Sequence, residues 1–199
     1  CRGDRMIDRY QAIQQILKRV KPDDLVLSTT GMISREVFTA DDRTANFYMI
    51  GSMGLLSSFG LGLALLSPEQ KVYVLEGDGS ALMSLGTLPL IATEHPANLV
   101  HIILDNEAYE STGAQPSISS NVELADLGRA AGYPHVTRVD DIEALEGAIS
   151  ECQGDSGPYL VVVKSGIAPV EGIGRVSHSP TEIRDGFKSS VLKENEAQC

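Results

Sequence analysis

Cysteine is scarce in this 199-residue chain: it occurs only as Cys1, Cys152 and Cys199, two of them terminal, and no CxxC is present. That excludes a disulfide scaffold and points to a reducing, cytoplasmic setting. Cys152 reads as a small buried residue, since free cysteine packs like a hydrophobe. Positive charge is also short, with 16 Lys and Arg against 27 Asp and Glu and a net charge of −11. A nucleic-acid surface needs clustered Lys and Arg and is excluded on this ground. An anionic ligand would have to be held locally, by metal and backbone N–H groups, against an unfavourable overall field. There is no apolar run long enough to span a membrane. No leader of basic, apolar and small residues opens the chain. It begins with Cys1 rather than Met, as a trimmed chain or part of a longer polypeptide would. We see no internal repeat, no Ser/His/Asp arrangement and no transition-metal cluster. Of the four histidines, His95 falls in a surface turn before Pro96 and His101 in an apolar run, as a satisfied core residue would; His135 and His178 carry no spacing signal.

What remains is ordinary for a globular domain, 42% hydrophobic and 22% charged, with length for one sizeable core. The informative stretch is residues 72–106, VYVLEGDGSALMSLGTLPLIATEHPANLVHIILDN. Its two apolar runs, 72–75 and 99–104, have the β-branched content of strands buried on both faces of a parallel sheet. The segment between them is long enough for a crossover helix. Adjacent parallel strands bring their carboxyl ends to one edge, so Asp78 and Asn106 are expected side by side, each offering oxygen. Gly77 and Gly79 allow a tight turn and close approach of a ligand. Gly79 and Ser80 would present N–H groups to an anion at the helix start. A carboxylate and an amide oxygen suit a hard cation such as Mg2+ shared with phosphate. A bare GDG is also what any tight turn uses; its spacing to Asp105-Asn106 is what favours the cation site.

The remaining segments alternate strand and helix about six times. Residues 7–20 have helical apolar spacing, stopped by Pro22. Residues 25–28 form a strand ending in Ser28-Thr29-Thr30-Gly31, which reads equally as a helix start capped near Ser34 or as a phosphate cradle. Residues 51–68, GSMGLLSSFGLGLALLSP, read as a closely packed buried helix carrying Gly51, Gly54, Gly60 and Gly62. Residues 107–117 are a polar, Gly/Pro-broken loop at the same sheet edge as Asn106. An amphipathic helix over 122–132 turns Leu124, Leu127, Ala130 and Ala131 inward. A strand at 135–138, a helix over 140–152 and a buried strand from Pro158 follow. The expected fold is α/β: a three-layer α/β/α domain over residues 6–165 with a mostly parallel sheet of about six strands. Residues 166–199 form a C-terminal extension, partly flexible, and residues 1–5 a flexible lead-in. Ligands in such folds bind at the carboxyl ends of the strands, where all the suspected residues fall.

GDGS followed by twenty-odd residues and an Asn at a strand end resembles the signature of thiamin diphosphate enzymes. The resemblance covers roughly residues 10–165 and implies their diphosphate-binding domain, with thiamin diphosphate and Mg2+ as cofactors. It implies Asp78, Asn106 and the backbone carbonyl of Ala108 as metal ligands. Many members read Asn-Asn where this chain reads Asp105-Asn106, a departure that leaves the second, ligating residue in place. Thr29, Thr30 and Gly31 match the family's first diphosphate loop. Gly51, Ser52 and Met53 match the segment under the pyrimidine ring, where Gly51 would offer its carbonyl and Met53 would wedge between the cofactor's rings. Gly77, Gly79, Ser80, Tyr109, Ser111 and Thr112 complete the implied cofactor contacts. In the family, the glutamate that activates the cofactor lies on a second, pyrimidine-binding domain. No such domain is found here, which implies a partner α subunit in a higher hetero-oligomer, or a fused stretch not included here. Within the family, residues 46–54 and 105–115 resemble the sulfopyruvate and phosphonopyruvate decarboxylases, which implies a carboxy-lyase acting on a small 2-keto acid. Arg35 and Arg43 stand as contacts for the substrate's acid group or as plain surface arginines.

Overall fold

The computed structural model describes residues 6–154, 156–167 and 171–192. The 1–5 lead-in and the end of the 166–199 extension lie outside the described residues. In chain order the elements are β1 (Ile7–Asp8), α1 (Arg9–Leu17), β2 (Leu25–Ser28), α2 (Met32–Ala40), β3 (Asn46–Tyr48), α3 (Leu56–Leu66), β4 (Val72–Gly77), α4 (Asp78–Met83) and α5 (Thr87–Glu94). They continue with β5 (Leu99–Asp105), β6 (Ala108–Tyr109), β7 (Gln115–Pro116), α6 (Leu124–Ala131), β8 (His135–Val139), α7 (Ile142–Glu151), β9 (Tyr159–Gly166) and α8 (Pro180–Leu192).

One parallel sheet runs β1–β9–β5–β4–β2–β3, with β8 also on β9. Since β5 holds one side of β9, β1 and β8 share the other, so the seven strands make a sheet six wide. Among the described residues only β6 and β7 pair antiparallel, as a separate small hairpin. The three central strands read VYVLEG, LVHIILD and YLVVVKSG and are almost wholly buried, because helices cover both faces. Alternation sorts the side chains: Tyr73, Leu75, Val100 and Ile102 join one core with α1 and α7, whereas Val72, Val74, Leu99 and Ile103 join the other with α3, α5 and α6. The expected three-layer α/β/α architecture is the one observed.

The differences lie at the ends of elements. The expected helix over 51–68 begins only at Leu56, and residues 51–54 form a loop with positive φ at Ser52 and Gly54. Gly60 carries the close packing, for a methyl group there would overlap Val74 of β4. The crossover between β4 and β5 is broken into α4 and α5 rather than one helix. Ser34 does not cap α2; its hydroxyl donates back to the carbonyls of Thr29 at 2.6 Å and Ser28 at 3.1 Å. Ala130 faces solvent, and Gly128 takes the inward place against Leu160. The periodicity of 180–192 is weak, yet α8 forms. Ile183 enters one core and Phe187 the other, so the helix straddles the edge strand β3 and shields it. Among the described residues no helix is long and apolar enough to cross a membrane.

Candidate functional site

The sheet order places a switch point between β2 and β4. From β2 the chain moves outward to β3, and from β4 it moves the other way to β5, so the two strand-end loops diverge and leave a crevice. An open cleft of about 610 Å3 occupies it. Thr29, Thr30, Met53, Gly77, Asp78, Gly79, Ser80, Asn106, Ala108, Tyr109, Ser111 and Thr112 all line this cleft. Four stretches far apart in sequence therefore meet as expected. Gly31 borders a neighbouring cavity instead, close to Ser111, while Gly51 and Ser52 stand exposed on their loop outside the lining.

Asp78 and Asn106 come together because β4 and β5 run in register, Gly77 opposite Leu104. Asp78 is 2% exposed. Its Oδ2 accepts from the hydroxyls of Ser117 and, at 3.0 Å, Ser119, both neutral donors. Burial raises its pKa, and the nearby charge of Asp105 adds to the effect against the lowering by Ser117 and Ser119. Asp105 has its own counter-charge, since Lys164, its partner across β5 and β9, donates to it at 2.7 Å. Asp78 has no cation partner among the described residues. It is a buried carboxylate lacking a counter-charge, which a divalent cation would supply.

The other donors fit that cation. Asn106 holds its amide by donating from Nδ2 to Glu110 at 3.2 Å, while Oδ1 accepts from the N–H of Ala108 at 3.2 Å and keeps a second lone pair. Ala108 faces Pro116 as a non-hydrogen-bonded pair of the hairpin, since Ser117 N–H donates to the Glu107 carbonyl beside it, so the Ala108 carbonyl is not used by the ladder. The donors expected from the resemblance, a carboxylate, an amide and a backbone carbonyl, are the oxygen set a hard cation prefers; among the described residues no group of three His, Cys, Asp or Glu could hold a metal. Tyr109 and Met53 both lie over Gly79, where a methyl group would overlap the tyrosine ring.

Two buried networks brace the cleft, and neither was legible in the sequence. Arg9, at the start of α1 and 6% exposed, donates to both carboxylate oxygens of Glu36 at 2.7 and 2.6 Å and also pairs with Glu110. Burial alone would lower the arginine's pKa, but the two carboxylates hold it well above its ordinary value. Glu110 thus links α1 to Asn106. The second network runs from Tyr133 to His101 at 3.1 Å, from His101 to Glu76 at 3.0 Å, and from Ser80 to Glu76 at 2.6 Å. Ser80 Oγ in turn accepts from the N–H of Gly54 at 3.0 Å. His101 is therefore the satisfied core histidine expected, and the Ser80 side chain serves to tie down the 51–54 loop. Helical spacing flagged neither Arg9 nor Glu36, because their partnership spans 27 positions. A charged residue at a helix start followed by a buried-face glutamate was the only signal available.

Residues 29–163 match the family model described as thiamine pyrophosphate enzyme, C-terminal TPP binding domain. The chain belongs to this thiamin diphosphate enzyme family. Phosphonopyruvate decarboxylase of Streptomyces viridochromogenes is 39% identical over 183 residues, covering 92% of this chain and 46% of the relative. Sulfopyruvate decarboxylase subunit beta of Methanococcus maripaludis is 36% identical over 187 residues, covering 94% of this chain and 99% of the relative. The chain thus spans about half the length of the first relative and nearly all of the second. A thiamine diphosphate-dependent 4-hydroxybenzoylformate decarboxylase from Rhodococcus jostii superposes with a TM-score of 0.71 at 20% identity, over 84% of this chain and 34% of that one. That likeness shows the fold of a thiamin diphosphate enzyme domain.

Proposed function

We propose that this chain is the diphosphate-binding subunit of a thiamin diphosphate-dependent carboxy-lyase. The observation that carries the reading is the buried, uncompensated Asp78 beside Asn106 at the strand ends of a thiamin diphosphate enzyme domain. Asp78, Asn106 and the Ala108 carbonyl would hold Mg2+. Gly79 and Ser80, at the start of α4, would offer N–H groups to the diphosphate, with the Thr29 and Thr30 hydroxyls beside them. Met53 would support the cofactor from the loop that Ser80 anchors. When bound, the cofactor supplies a carbanion nucleophile and an electron sink for loss of CO2 from a 2-keto acid. The chain's own part is to position it, to screen it from water with Tyr109 and Met53, and to hold the metal.

The most concrete substrate is 3-sulfopyruvate, giving sulfoacetaldehyde and CO2. The near full-length match to a sulfopyruvate decarboxylase beta subunit supports it, and supports a separate α subunit that brings the pyrimidine-binding half and the activating glutamate. A second reading, phosphonopyruvate decarboxylation, is favoured by the 39% identity to the Streptomyces enzyme. Steady-state CO2 release from sulfopyruvate, phosphonopyruvate and pyruvate by the reconstituted complex tests the assignment. The first should give the highest kcat/KM. A higher value for phosphonopyruvate would install the second reading.

A further inference from the structure

The cofactor cleft has a basic annex. A second cavity shares Thr30 and Ser111 with it and is lined on its far side by Arg35, Arg175 and His178. In a chain with a net charge of −11, cations gathered beside an active-site cleft need a reason. Most described arginines are engaged: Arg9 with Glu36 and Glu110, Arg43 with the carbonyls of Lys21, Pro22 and Asp24, and Arg129, Arg138 and Arg184 with carboxylates. The side chains of Arg19, Arg35 and Arg175 make no hydrogen bond or ion pair with the described residues. Arg19 stands on open surface after α1, but Arg35 and Arg175 line one cavity. Arg35 is half-buried and sits in the first turn of α2, the end where the helix dipole disfavours a cation. No acidic residue in that turn offsets it, and the adjacent Glu36 is committed to Arg9. The two arginines that sequence reading left equal are thereby separated: Arg43 is a structural latch, and Arg35 is a cation awaiting an anion.

We propose that this annex is the subsite for the second acid group of the substrate, a tetrahedral oxyanion of the sulfonate or phosphonate class. Arg35 is its main anchor, and Arg175 lies at the solvent side. A guanidinium fork matches an oxyanion with two parallel donors. His178 is held by Asp42 at 2.8 Å and packs edge-on against Phe38, so it shapes the wall. The inference deepens the function proposed above and rests on it.

The test uses the complex of this chain with its pyrimidine-binding subunit, loaded with thiamin diphosphate and Mg2+. Calorimetric titration with 3-sulfopropionate and 3-phosphonopropionate, which lack the reacting keto group, reads the subsite directly; propionate is the control. Arg35→Gln should weaken both dianions about tenfold or more, the loss of one charge-assisted hydrogen bond. Propionate and cofactor affinities should stay unchanged. Arg35→Lys should recover part of the loss, and Arg35→Gln with Arg175→Gln should lose more. Comparing the two dianions shows whether sulfonate or phosphonate is preferred. Equal affinity of the unaltered complex and Arg35→Gln for both dianions would overturn the proposal, as would an equal loss of propionate and cofactor binding. Failure of the unaltered complex to bind thiamin diphosphate would instead overturn the functional reading, and this proposal with it.

Discussion

Asp78 is the residue on which structure and function pull in opposite directions. Its carboxylate is buried, faces Asp105 and receives only hydroxyl and backbone donors, which is why its pKa lies above the ordinary 3.8. A carboxylate raised on folding favours the folded chain only below its unfolded value. It penalises the fold fully once pH exceeds the raised value. Asp78→Asn should therefore raise the Tm of the metal-free chain at neutral pH, with the gain shrinking as pH falls toward 4. The same variant should lose Mg2+-dependent thiamin diphosphate binding. A lower Tm at pH 7 would show that Asp78 is structural rather than a ligand in waiting. This residue was legible in the sequence because its neighbours are local: Gly77 and Gly79 flank it, and a second strand of matching length delivers Asn106. Cys152 was legible for a similar reason, being 1% exposed with its thiol pushed up to about 12 by burial, an inert core group. Arg9, Glu36 and Glu76 were not legible. Each is a charged residue whose burial is made tolerable by one partner distant in the chain, and no periodicity announces such a partner.

At the scale of elements, the cleft is held by clamps between segments rather than by any one of them. Arg9 ties α1 to α2 through Glu36 and to the 107–117 loop through Glu110, which steadies Asn106. Arg9→Leu would leave Glu36, 1% exposed, charged and unpaired. Breaking a buried pair in this way costs about 3–5 kcal/mol. Urea unfolding should show that loss, and replacing Arg9 and Glu36 together with leucine should recover most of it. Equal stability of Arg9→Leu and the unaltered chain would mean that the clamp does not form. The central strands were read from sequence to within two or three residues, since parallel strands buried on both faces are continuous apolar runs, whereas the two-residue strands β1, β6 and β7 fell in stretches read as helix or loop. Helix ends were read less well. The start of α3 is set by backbone turns at Ser52 and Gly54 that Ser80 secures from α4, and α8 exists because β3 leaves an edge and two cores open to Ile183 and Phe187. Both are tertiary causes.

At the scale of the molecule, a three-layer domain brings Asp78, Asn106 and the start of α4 to its switch point, with a basic annex beside them; the proposed function makes this one wall of an active site. Within the cleft lining, the carboxylates are Asp78 and Glu110, and Glu110 is engaged by Arg9 and Asn106. Neither is free to activate a cofactor, so under the proposed function the activating glutamate would come from a second domain. The fold and the family, and the meeting of Asp78 with Asn106 in one cleft, could be anticipated from strand ends and the GDGS string. The annex could not, since its arginines stand at positions 35 and 175 and meet only through the fold. CO2 release from sulfopyruvate, with thiamin diphosphate and Mg2+, measured for this chain alone and then with a pyrimidine-binding subunit, tests the divided site most directly. Activity confined to the mixture is the predicted result. Equal activity of the chain alone would place the activating glutamate within it and contradict the account.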